Sequence, residues 1–103
     1  MDKLDLEVKI TDKLTEIAEL FRSKNGQYAE EEDAFVNFVR AGELLGKTKE
    51  EALLGFVAKQ MVHVCGNKPI NSKAYTDHVN DIIVYMLILS VMLEECKNEQ
   101  CNN

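Results

Sequence analysis

The side chains best suited to chemistry in this sequence stand at helical spacings. Asp77, Asp81 and Tyr85 follow one another at intervals of four, with His78 beside them, and Lys59/His63 and Asp33/Asn37 are further pairs four apart. On helices each set shares one face. Polar side chains on inward-facing stripes are costly to bury unless something binds them, and a histidine such as His63 can serve as general base or metal ligand. Lys24 and Tyr28, where an earlier helical segment turns out, are placed to close over the same cleft.

Each residue also has a plain structural reading. An acid at Asp77 is favoured near a helix N-terminus without any ligand. Asn37 can satisfy itself on neighbouring backbone, and Tyr28 can lay its ring on the core with its hydroxyl in water. Lys59 and His63 fit the outer face of their helix as well as the inner one. Asp81 is different, because Val79, Ile82, Ile83 and Val84 surround it in the most apolar stretch of the chain. Burying a carboxylate there is costly unless a cation, a metal or a ligand partners it.

Four helical segments position these residues, and the expected class is all-α, a four-helix bundle. Residues 4–10 alternate apolar and polar, formally a strand pattern, but no second strand is evident; they read as an N-terminal arm or as the opening of helix one. Thr11-Asp12 offers an N-cap, and Leu14, Ile17, Ala18 and Leu20-Phe21 carry helical spacing as far as Asn25-Gly26. Asp33 opens helix two, with Phe35, Phe38, Val39, Gly42 and Leu45 on one face and Gly46 as its stop. Thr48-Lys-Glu-Glu51 is a capping box for helix three, which Gly66-Asn-Lys-Pro69 ends. Ser72 caps helix four, about 72–97, whose stretch Val79–Leu93 is apolar on nearly every face. At 15 residues with an internal carboxylate, that stretch is too short and polar to span a bilayer. It reads as the buried centre of the domain, its C-terminal half also meeting a second subunit. Residues 96–103 read as a frayed tail.

The 103 residues make one domain, and a domain of this size buries only roughly 60% of its unfolded surface, which favours a homodimer through helix 72–97. With 12 basic against 18 acidic residues the net charge is −6, the wrong sign for a duplex DNA binder. A local basic cleft can still take a small anion. Cys65, Cys96 and Cys101 are odd in number and lack C-x-x-C spacing, and the N-terminus is charged from the start. They read as free thiols in a cytoplasmic protein, with Cys65 a small buried side chain. There is no Walker loop, G-x-S-x-G or HExxH.

The runs Lys24-Asn-Gly-Gln-Tyr28, Asp33-Ala-Phe35-Val-Asn37-Phe38, Ala52-Leu-Leu-Gly-Phe56 with Lys59, and Asp77-His-Val-Asn-Asp81-Ile-Ile-Val-Tyr85 resemble small helical proteins of phages and prophages. Those are similar to the MazG-like all-α nucleotide pyrophosphohydrolases, and the likeness spans about residues 14–95. In that family E-x-x-E on one helix and E-x-x-D on a later one hold Mg²⁺ on a nucleoside triphosphate. The resemblance puts Asp81 at the final aspartate. His78 stands where a glutamate belongs, Lys59 and His63 stand where acids belong, and Glu50 and Glu51 lie in the first turn of their helix. Replacing oxygen ligands by amine and imidazole removes a Mg²⁺ site.

The resemblance therefore implies a MazG-like bundle that binds a nucleotide or nucleotide-like anion without hydrolysing it, through Lys24, Tyr28, Asn37, Lys59, His63, Asp81 and Tyr85. One alternative it leaves open is a pyrophosphohydrolase in which Asp33, Asp77 and Asp81 hold Mg²⁺ or Mn²⁺. Another is an interaction or inhibitor module acting on a protein of the bacterial host.

Overall fold

In the computed structural model the described residues are 1–27, 35–66 and 69–101; the side chains at 24–27 and 98–101 are not among them. Four α-helices and no strand occur among them: α1 (Lys3–Gln27), α2 (Val36–Leu45), α3 (Lys49–Val64) and α4 (Lys73–Cys101). The all-α class is as expected. The chain divides into two compact units, 1–32 and 33–103.

The first unit is built on α1, which begins eight residues before the cap expected at Thr11. Asp2 starts it instead: its carboxylate accepts from the Asp5 N–H at 2.8 Å and its carbonyl from the Leu6 N–H at 3.1 Å. Thr11 and Thr15 lie inside the helix and turn their hydroxyls back onto the carbonyls of Glu7 and Thr11, at 3.0 Å each. Threonine is accommodated in a helix interior in this way. The alternation over residues 4–10 is thus helical. A helix closes its hydrogen bonds locally, whereas a strand needs a neighbour.

In the second unit, α2 follows Phe35, which makes no side-chain cap bond; the expected start at Asp33 lies outside the described residues. Its end is as read from the sequence. Gly46 takes φ 67°, its N–H reaches the Glu43 carbonyl, and the Lys47 N–H reaches the Gly42 carbonyl at 2.8 Å. These two bonds satisfy carbonyls the helix would leave open, and the left-handed dihedral suits a residue without Cβ.

Two residues on, Thr48 caps α3. Its hydroxyl accepts from the Glu51 N–H at 3.1 Å while the Glu51 carboxylate accepts from the Thr48 N–H at 3.0 Å, the reciprocal arrangement expected. Ser72 does the same for α4, its hydroxyl accepting from the Tyr75 N–H at 3.2 Å. With no Gly or Pro after Pro69, α4 runs through Cys101, beyond the end expected near 97.

The core lies where α2, α3 and α4 meet. Leu53 and Met92 are fully enclosed and Phe38 is buried, with Phe35, Val57, Tyr85, Ile88 and Leu89 packed around them. Burying a side chain such as Leu53 contributes about 1.5–3 kcal/mol. Cys65, expected to be buried, is exposed at the C-terminal cap of α3. At ~100° per residue it points away from the Leu53, Val57, Gln60 and Val64 face. Cys96 is half-buried. No helix among the described residues is long and apolar enough to cross a membrane.

Candidate functional site at the α3–α4 seam

Helices α3 and α4 pack antiparallel, as the order of their contacts shows. His63 and Gln60 meet His78, Phe56 meets Tyr85, and Leu53 joins Met92 in the core. Moving back along α3 moves forward along α4. The face of α4 turned to α3 is the stripe His78, Asp81, Tyr85, Ile88 and Met92, so the polar and apolar halves of one stripe continue each other. Seen along the seam, the core occupies one end and the polar residues the other.

At the polar end the imidazoles of His63 and His78 are stacked, ring centres 4.6 Å apart and planes 7° from parallel. Both are half-buried. The Nδ1 of His78 lies 2.5 Å from Oε1 of Gln60. Because an amide oxygen only accepts, Nδ1 is the donor in this contact. Two turns further, Phe56 and Tyr85 stack at 6.1 Å and 18°, and Phe38 of α2 meets both edge-on, at 5.6 Å and 6.2 Å. Burial raises the Tyr85 hydroxyl above its ordinary pKa, and the negative charge of Asp81 adds to the rise.

The residues singled out from the sequence separate into three groups. His63, Asp81 and Tyr85 come together on the seam, each half-buried. Asn37 and Lys59 do not face it. Asn37 is exposed on α2, opposite the Phe35, Phe38 and Gly42 face, and Lys59 is exposed on the flank of α3. Asp77 is also exposed and pairs with Lys73 at 3.2 Å, an i,i+4 contact on the outer surface of α4. Tyr28, Asp33 and the side chain of Lys24 lie outside the described residues. Among the described residues no three His, Cys, Asp or Glu side chains converge as a metal site.

Gln60 escapes sequence reasoning, and His78 and Phe56, though noted in the sequence, are not assigned to a site by it. Gln60 and His78 join the seam only because α3 and α4 pair in this register, and Phe56 looks like an ordinary core residue while keeping 37% of its surface exposed. One signal was available: Phe56, Lys59 and His63 recur at intervals of three and four, a single stripe along α3.

Fold and site together define an all-α protein with a polar seam between two antiparallel helices. In comparisons with protein-family models, curated proteins and solved structures, the chain matches none.

Proposed function

We propose that this chain is a MazG-like, non-catalytic binding module, and that the α3 stripe takes a nucleotide or nucleotide-like anion. The observation that carries the reading is the Phe56–Tyr85 stack, in which Phe56 keeps a partly exposed ring, with Lys59 exposed on the neighbouring flank of α3 and His63 half-buried at the seam beyond it. An aromatic ring accepts a base by stacking, and an exposed lysine a turn away meets a phosphate without first being desolvated. The replacement of family carboxylates by Lys59, His63 and His78 supports binding in place of hydrolysis. A phage-type origin, with a place of action in the cytoplasm of a bacterial host, belongs to the same proposal.

A thermal-shift panel of nucleotides, run with and without Mg²⁺ or Mn²⁺, tests it. The expected result is a rise in Tm that needs no metal and disappears in Lys59→Ala. No shift with any nucleotide removes the reading. Metal-dependent release of pyrophosphate, abolished by Asp81→Asn, replaces it with the pyrophosphohydrolase alternative.

A second reading has its own observation. On the side of α4 away from the core, Met86, Leu87, Val91 and Leu93 remain between 45% and 54% exposed. Exposed apolar side chains clustered on one face mark association surfaces. This supports self-association through α4, or docking of a host protein there. Sedimentation of the wild type against Val91→Lys tests it: a dimer that dissociates in the variant supports self-association, and a monomeric wild type leaves only the host-protein form.

A further inference from the structure

Helix α2 covers only one side of the α3–α4 pair. It meets α3 on the flank of Phe56, and about 140–160° round the helix from Phe56 stand Met61 and Leu54. Because α3 and α4 are antiparallel, the matching flank of α4 is the one about 80–100° from Tyr85, which carries Leu93 and Met86. In the register fixed by the Phe56–Tyr85 and His63–His78 stacks, Leu54 falls beside Met86 and Met61 beside Val79. The folded chain leaves Leu54, Met61, Met86 and Leu93 between 42% and 54% exposed, with Val57 and Ile82 half-buried between them. No charged side chain interrupts this flank of α3 from Leu54 to Cys65, or that of α4 from Tyr75 to Leu93.

We infer that this α3–α4 face, opposite α2, is where two copies of the chain pack about a two-fold axis. The inference rests on the self-association reading above and moves its centre from α4 alone to the α3–α4 pair. The two helices run side by side for the 16 residues of α3, so at about 1.5 Å per residue and ~10 Å per helix the face has a footprint of roughly 480 Å². Side chains ridge that footprint, and its accessible surface is of the order of the ~800 Å² that each partner contributes to a standard interface. Interface cores are poor in charge and rich in methionine and aromatic residues, and this face offers Met61, Met86 and the half-buried Tyr75. Charge complementarity is what tells one foreign partner from another, and an uncharged face lacks it. A two-fold sets the patch on itself and needs no charge pairing.

The test is sedimentation equilibrium of the full chain beside Met61→Lys, which puts a charge on α3 and leaves α4 untouched. The wild type is expected to dimerise and the variant to dimerise at least tenfold more weakly. Val91 lies about 140° round α4 from Met86, so Val91→Lys probes a different face. NMR of the wild type with methyl-labelled methionine gives a readout free of folding effects. On dilution through the dissociation the Met61 and Met86 methyl signals should shift together, while that of the enclosed Met92 stays. A monomeric wild type overturns the self-association reading and the inference together. A loss of less than tenfold in Met61→Lys, or a shift of Met86 without Met61, overturns the inference, and if Val91→Lys dissociates that dimer the α4 reading stands without it.

Discussion

Phe56 and Tyr85 stack across the α3–α4 seam with ring centres 6.1 Å apart, and Phe38 of α2 stands nearly perpendicular to both. Three helices are thereby joined through three rings. The contributions are unequal, because Phe38 is buried while Phe56 keeps part of its ring at the surface. Phe38→Ala is expected to destabilise by about 3–5 kcal/mol, and Phe56→Ala by clearly less, since part of its area stays in water when folded. Urea unfolding of both variants checks the order. Equal losses would mean that Phe56 is covered in solution.

Tyr85 should titrate above the ordinary value of a tyrosine hydroxyl. Burial is the larger cause and Asp81 the smaller, so Asp81→Asn should bring it only part of the way back. The difference in phenolate absorbance between wild type and Tyr85→Phe isolates this one group. A pKa raised in the folded state means that the unfolded chain loses its proton first. The associated stability is therefore full below about 10 and declines as pH rises above it.

The α3 capping box sets a dependence of opposite sense. The Glu51 carboxyl is held below its ordinary value, first by the Thr48 backbone N–H and then by the Thr48 hydroxyl, and Glu50 is lowered chiefly by its hydrogen bond from Lys49. These groups contribute stability above about pH 4.5, lost as pH falls through the depressed folded values. Carbon-detected NMR titration should show Glu51 moving up in Thr48→Val, where the hydroxyl is gone and the backbone donor remains. Thr48→Ala should cost about 1 kcal/mol near neutral pH.

The same substitution at three glycines should give different signs. A Cβ on Gly42 would lie 2.5 Å from the Lys47 carbonyl oxygen and 3.1 Å from the Thr48 backbone, so Gly42→Ala forces the α2–α3 turn apart. Overpacking of this kind costs roughly 1–3 kcal/mol. Gly46→Ala meets no neighbour but must hold φ 67°, a cost of ~1–2 kcal/mol for a side chain with a Cβ. Gly55 lies in the middle of α3 with open space around it, and alanine there should stabilise by about 0.5–1 kcal/mol. Thermal melts of the three variants decide all of this, and a stabilised Gly42→Ala would contradict the close approach.

What the sequence determined by itself was local. The Thr48–Glu51 box, the Ser72 cap and the left-handed Gly46 were legible because each is closed by atoms a few residues apart. The all-α class followed from the spacing of apolar residues. Residues 4–10 are open in the sequence between an arm and the start of helix one, and the helical alternative holds: Asp2 supplies the cap, and Thr11, which looks like one, satisfies its hydroxyl on Glu7. Which polar residues face each other was decided by the tertiary structure. Lys59 and His63 are four apart, yet Lys59 points to solvent and His63 into the seam, because the edge of the packing face of α3 falls between them. The His63–His78 stack, the Gln60 contact and the exposed ring of Phe56 depend on the register of two antiparallel helices. That register is set by how Leu53, Phe38 and Met92 fill the space between three separate helices, and packing of that kind leaves no mark on any one helix read alone.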